Sequence, residues 1–313
     1  MKCGIVYDSI FEKHITGSGH PESPQRASSI FQSLKEKSLL SNTVKIPVEK
    51  CKLEDLYLVH DRNYLQLAKK EIEQGAKSLS TGDTATCKDT WKISTFVTGG
   101  VINAVEKVIY GKINNAFCIT RPPGHHANAN KGMGFCLFNH IAIAAKYAQK
   151  KLGVKKVLIV DWDVHHGNGT QDIFYEDASV FFFSTHQSPW YPGTGERTET
   201  GKGRGLGYTM NFPFPAGAGK KEILQHAFEF ELPKKMAEFK PELILISAGF
   251  DSRINDPLGQ FRLTDQDFYE LTKLIINLAD EHANGNVVSI LEGGYSLNGL
   301  AMASASHVQA LLK

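Results

Sequence analysis

No pair of cysteines stands at the C-x-x-C spacing, and the 5 cysteines are an odd number. Neither a disulfide framework nor a thiolate zinc site is therefore indicated. Apolar runs are short. Those at 157–160 and 243–246 are strand length, far below the roughly 20 residues that a membrane-spanning helix needs. Met1-Lys2-Cys3-Gly4-Ile5-Val6-Tyr7-Asp8 lacks the apolar stretch and cleavage signature of a secretory leader. There is no basic block either. Lys+Arg 35 against Asp+Glu 33 gives a formal net charge of +2, and the lysine pairs at 155–156, 220–221 and 234–235 are scattered. That distribution argues against direct nucleic-acid binding. Internal repeats, low-complexity tracts and charged linkers are also absent. The expectation is a cytoplasmic, reduced protein with no membrane partner, folded as a single domain over 1–313.

What is present is an alternation of short β-branched runs with longer amphipathic stretches. It predicts an α/β fold, a mainly parallel central sheet with helices on both faces. Strands are predicted at 3–7, 116–120, 156–160, 180–184, 243–247 and 287–291. Helices are predicted at 24–37, 90–110, 139–152, 220–239 and 264–283. Pro233 marks a kink or a new segment within the fourth of these helices. Thr264 has the chemistry of an N-cap, with acids in the first turn after it.

Four of the predicted strands run straight into polar, glycine-bearing loops. These are Arg121-Pro122-Pro123-Gly124-His125-His126, Asp161-Trp162-Asp163-Val164-His165-His166-Gly167-Asn168-Gly169, Gly249-Phe250-Asp251 and Glu292-Gly293-Gly294-Tyr295. Sites in open α/β sheets form at the carboxyl ends of strands, so the four loops are expected to converge on one pocket.

Asp161, Asp163 and His165 are spaced by two. If the extended backbone continues past Val160, they face one way. Asp163 and His165 then offer an oxygen and a nitrogen to a metal, and Asp251 adds a second oxygen. One histidine with two carboxylates leaves a coordination position open, as a catalytic zinc site requires. A lone Asp here would read as a helix cap and a lone His as a satisfied core residue. Burying two carboxylates together without a cation is too costly for that reading of the whole motif.

Adjacent His125 and His126 suit proton transfer, given orienting partners for which Asp161 and Asn168 are the polar candidates. The dipeptide alone would read equally as a surface pair. Tyr295, after two glycines, is placed to steady an oxyanion. The glycine-rich loop around Gly134 and Phe135 and the Trp190-Tyr191 loop supply rings for a slot fitting an aliphatic chain. For Trp190 itself, core packing is the expectation.

Together these blocks resemble the signatures of the histone deacetylase superfamily, from Tyr7-Asp8 through His20-Pro21-Glu22-Ser23-Pro24-Gln25-Arg26 to Tyr295, nearly the whole chain. The resemblance implies an arginase–deacetylase type fold and hydrolysis of Nε-acetyl-lysine in proteins or peptides. It implies one zinc ion held by Asp163, His165 and Asp251, with His125 and His126 as the acid–base pair. Asp161 and Asn168 would orient them, and Tyr295 would polarise the carbonyl. Asn at 168 is the class II pattern. The resemblance makes Phe135 and Tyr191 tunnel walls and the Gly134 carbonyl an acceptor for the substrate amide. It puts Arg26 in an acetate-exit channel and a potassium ion near Asp161, Asp163, His165, Ser184 and Thr185. Asp83 is the rim acid that anchors the substrate backbone, or a turn residue.

The superfamily also holds acetylpolyamine amidohydrolases, whose eukaryotic polyamine-selective member carries an acidic gatekeeper in the D-P-x-G loop. Here that loop is Asp256-Pro257-Leu258-Gly259, and the apolar Leu258 favours a protein or peptide substrate. A binuclear manganese ureohydrolase and a non-catalytic acyl-lysine binder are the competing classes. The first lacks its second D-x-H-x-D block, and the second is at odds with intact catalytic positions. Iron or cobalt also suit an Asp-Asp-His donor set.

Overall fold

The computed structural model describes residues 2–313. Its framework is one eight-stranded sheet with every pair parallel. The strands are β1 Cys3–Val6, β2 Thr43–Ile46, β3 Asn115–Cys118, β4 Val157–Asp161, β5 Val180–Gln187, β6 Thr209–Phe214, β7 Leu243–Ala248 and β8 Val287–Leu291. Their order in the sheet is β2-β1-β3-β8-β7-β4-β5-β6. The helices are α1 Gln25–Glu36, α2 Leu53–Leu56, α3 Arg62–Glu73, α4 Thr90–Ile109, α5 His140–Leu152, α6 Asn168–Phe174, α7 Leu232–Phe239, α8 Asp265–His282 and α9 Leu297–Leu311.

Strand periodicity divides the core into two layers. On one face Phe117, Leu158, Val160, Ile244 and Ile246 pack with α1, α7, α8 and α9. On the other, Ala116, Cys118, Val157, Ile159, Leu243 and Leu245 pack with α4 and α5. Both faces of the inner strands are covered, so they read as unbroken apolar runs. No described helix is long and apolar enough to cross a membrane.

The sheet is wholly rather than mainly parallel, and the six predicted strands are present with ends shifted by a few residues. β2 and β6, the two sheet edges, were not predicted. The stretch 220–239 divides as Pro233 implies: a wide π-type segment Lys221–Glu231 leads into α7, with the proline in its first turn. Thr264 caps α8, accepting from the Asp267 N–H while the Asp267 carboxylate accepts from the Thr264 N–H at 2.8 Å.

The order of strands fixes where the site can be. β3, β8, β7 and β4 are consecutive in the sheet, and the four polar loops leave their carboxyl ends. Residues more than a hundred positions apart thus meet over the middle of the sheet.

Burial alone disfavours the charged form of the core histidine His307. His307 is fully enclosed between the hydroxyls of Thr272 and Ser289, each 2.7 Å away. Burial pulls it down to about 3. The unfolded imidazole takes up a proton below about 6.5, while the folded one does so only near 3. Stability is therefore lost as pH falls through that window. Relative to His307→Gln, the wild type is expected to lose on the order of 1 kcal/mol between pH 7 and 5.5. Denaturant unfolding at the two pH values measures this, and parallel curves for the two proteins would contradict it.

Candidate active site

After β3 the chain turns at Arg121, whose guanidinium is fully buried. It donates to the Phe11 and His14 carbonyls and to the Glu22 carboxylate, at 2.7 to 2.8 Å. The turn then presents His125 and His126 with ring centroids 4.0 Å apart. His125 Nδ1 lies 2.9 Å from Asp161 Oδ2, and His126 Nδ1 lies 2.8 Å from Asn168 Oδ1.

The two rings differ electrostatically. Burial works against charge on His125, but the carboxylates of Asp161, Asp163 and Glu292 hold it well above the usual histidine range. His126 is held well below that range by burial and by the neighbouring His125 and His165. The surroundings thus favour the charged form of His125 and the neutral form of His126.

After β4 the backbone does not stay extended, contrary to the expectation. Asp161 Oδ1 accepts the Asp163 N–H at 3.1 Å, and Asp163 Oδ1 accepts the His165 N–H at 2.9 Å. These successive side-chain turns aim Asp161 back at His125. They also bring Asp163 and His165 to Asp251, which follows β7. Ligand atoms of Asp163, His165 and Asp251 all lie within 4.8 Å of one another, and all three residues are buried.

The donor set fits a divalent ion. His165 Nδ1 sits 3.0 Å from Asp163 Oδ1 and 3.2 Å from Asp251 Oδ2. Hydrogen bonds that both carboxylates accept from the ring outweigh burial and push His165 up to about 10. Burial and the Asp163 charge push Asp251 up to about 7. Two enclosed carboxylates thus compete for positive charge where nitrogen and oxygen converge, and a cation satisfies both. Gly293 permits the approach: a Cβ there would collide with the Asp163 and Asp251 carboxylates. Ser184 pairs with Asp161 in the β4–β5 register, and its hydroxyl lies 3.0 Å from His186 Nδ1. Thr185 is the next residue of β5.

The fourth loop, after β8, carries Tyr295. The Tyr295 and Ser296 N–H groups donate to Asp256 Oδ2 at 2.7 and 3.1 Å. Arg26, fully buried, donates to the Gly294 carbonyl at 2.6 Å and to that of Glu292 at 2.5 Å. It also bonds Glu22 at 3.1 Å. Glu22 therefore joins Arg26 to Arg121, and with them two of the four loops. Burial and the Asp251 charge hold the Tyr295 phenol well above its usual range, so it remains a donor.

A cavity of about 230 Å³ opens above these groups, lined by His126, His165 and Tyr295 below and by Gly134, Phe135 and Tyr191 along its sides. Asp83, Trp190 and Leu258 also line it. Phe135 adopts φ +67°, a left-handed conformation costly for a bulky residue. Asp83 braces this wall, accepting the Gly134 N–H at 2.6 Å and facing the Tyr191 hydroxyl at 3.4 Å.

Trp190 is not core. It is 39% exposed, and its indole N–H donates to the Leu258 carbonyl at 2.9 Å, linking two loops at the cavity mouth. A larger cavity, about 420 Å³, lies at the sheet edge by Tyr7, Phe31 and Leu40 and holds none of these groups.

The carboxylates of Glu22 and Glu292 went unassigned in the sequence. Nothing local marks Glu22 as the partner of an arginine 99 positions away. For Glu292 the available signal was an acid in a run of buried strand residues.

A family model described as a histone deacetylase domain matches residues 20–311. The chain is 38% identical over 301 residues to a probable deacetylase of Archaeoglobus fulgidus, covering 96% of this chain and 83% of that one. It is 38% identical over 309 residues to the chloroplastic histone deacetylase 14 of Arabidopsis thaliana, covering 94% and 73%. Against human histone deacetylase 9 the identity is 38% over 345 residues, covering 99% of this chain and 34% of that longer one.

Proposed function

The chain belongs to the histone deacetylase family, and from that premise we propose that it hydrolyses Nε-acetyl-lysine in proteins or peptides, with one zinc ion held by Asp163, His165 and Asp251. The observation that carries this reading is the meeting, at one cavity, of that donor set with the His125–His126 pair, each ring held through Nδ1 by Asp161 or Asn168. When bound, the ion supplies Lewis-acid polarisation of the amide carbonyl and makes the attacking water more acidic.

The remaining chemistry belongs to side chains. His126 lines the cavity, and burial beside two other histidines disfavours a charge on it, so it accepts the water's proton and delivers it to the departing lysine amine. Asn168 fixes the ring orientation through Nδ1. His125, held behind it by Asp161, is the ring whose charged form the surrounding carboxylates favour. Tyr295 donates its hydroxyl hydrogen bond to the carbonyl oxygen as negative charge develops there. Phe135 and Tyr191 flank the methylene stem and exclude water. Potassium near Asp161 and Ser184 and acetate exit past Arg26 are part of the same reading.

Leu258 favours an acetyl-lysine peptide over an acetylpolyamine, because it is apolar where an acid would attract a second ammonium, and Asp83, the acid in the cavity lining, is engaged with the Gly134 N–H and the Tyr191 hydroxyl. Leu258→Glu is expected to move the kcat/KM ratio about tenfold toward N-acetylputrescine, an energy of about 1.4 kcal/mol. An unchanged ratio would remove Leu258 from the specificity account. The wider test is acetate release by zinc-loaded protein on an acetyl-lysine peptide and on N-acetylputrescine in parallel. Preference for the peptide supports the proposal. Preference for the polyamine leaves the site chemistry standing and overturns the substrate class.

A further inference from the structure

Glu292 is fully buried, carries a carboxylate and, beyond adding to the negative field on His125, has no role assigned in the steps above. Its side chain joins three strand ends. One oxygen accepts the backbone N–H of Gly124 at 2.7 Å and of His125 at 3.1 Å. The other accepts the hydroxyl of Ser247, on β7, at 3.0 Å. Its backbone is anchored as well, with its N–H on the Ala248 carbonyl at 3.1 Å and its carbonyl receiving Arg26.

The two N–H groups it accepts belong to the turn that carries the histidine pair. That turn has left β3, whose paired residues end at Cys118, so sheet bonding cannot hold it. Buried N–H groups require a partner, and here the partner is one carboxylate oxygen fixed to the neighbouring strands.

We infer that Glu292 is a positioning residue for the reaction proposed above: its carboxylate sets the turn at 124–126 so that the His126 ring meets the substrate. It touches neither substrate nor reacting atoms. Burial pushes Glu292 up to about 7, and in either protonation form an oxygen remains toward the two N–H groups. Brace and charge are therefore separable.

The experiment uses the zinc-loaded enzyme with Glu292→Ala and Glu292→Gln. A glutamine keeps an amide oxygen for the two N–H groups and turns its NH2 to the Ser247 hydroxyl, which can accept. Glu292→Ala is expected to lower kcat about 100-fold with KM changed by less than about threefold. The Gly124 and His125 amides should exchange with solvent at least about tenfold faster. Glu292→Gln should restore amide protection and bring kcat within about fivefold of wild type.

An alanine variant with kcat within about threefold of wild type overturns the inference. So does a glutamine variant that keeps both amides protected yet loses as much kcat as alanine, since charge rather than position would then be at work. Should the alanine variant not fold, Glu292→Asp, one methylene shorter, is read the same way: lower kcat with exposed amides supports the brace, and wild-type turnover overturns it. Amide exchange is read without substrate, so a wrong reaction assignment is distinguished from a failed brace.

Discussion

Tyr295→Phe is expected to lower kcat on an acetyl-lysine peptide by about 10²- to 10³-fold, the usual cost of losing one donor to a developing oxyanion. KM should stay within about threefold, because the interaction is made in the transition state rather than in the ground state. The reason lies in the environment of the phenol. Burial and the Asp251 carboxylate suppress its ionisation, so the hydroxyl enters the reaction as a donor. Asp256 grips the loop through the Tyr295 and Ser296 N–H groups, and Arg26 grips it through the Gly294 carbonyl. The ring packs against Phe135, 6.2 Å between centroids. Phenylalanine keeps that packing and loses the donor alone. Steady-state kinetics with zinc content measured alongside decide the matter, and turnover near wild type with zinc retained would remove Tyr295 from the chemistry.

His126→Ala is expected to cost about 10²- to 10⁴-fold in kcat while zinc remains bound, the range for loss of a positioned general base. His126 is the ring of the pair that lines the cavity, and burial beside His125 and His165 disfavours its charged form. None of the three converging metal ligands is altered by the change. The predicted signature is therefore lost turnover without lost metal, measured by zinc analysis and acetate release on one preparation. Asp251→Ala provides the contrast, since it should lose both. Wild-type turnover in His126→Ala would transfer the proton work elsewhere, and loss of zinc would make the residue part of the metal site.

Legibility in the sequence followed burial. β3, β4, β7 and β8 stand out because each is buried along its whole length and ends at a polar loop. β2 escapes notice because Thr43, Val44 and Lys45 at the sheet edge are not buried. β6, at the other edge, contains Pro213, which argues against a strand unless the position is an edge. α9 is buried on most of its circumference and shows no polar face to set its period. α6 starts within the glycine-rich stretch after His166, which reads as loop.

In the site, the residues that meet were legible as strand-end motifs, but the path between them was not. The expected extension through Asp163 is replaced by turns closed by the Asp161 and Asp163 side chains. Trp190 looked like core because large aromatics usually are. The structure uses its indole N–H to tie its loop to Leu258. Long-range braces such as Glu22 on Arg121 have no local pattern and emerge only from the folded chain.

The central claim is that one divalent ion, held by Asp163, His165 and Asp251, works with the histidine pair on an amide. The most direct measurement is a zinc titration of metal-free protein, following bound metal and acetate release from an acetyl-lysine peptide together. The account predicts that both rise in step and level off at one ion per chain. Full turnover without metal, or activity that requires two manganese ions per chain, would contradict it.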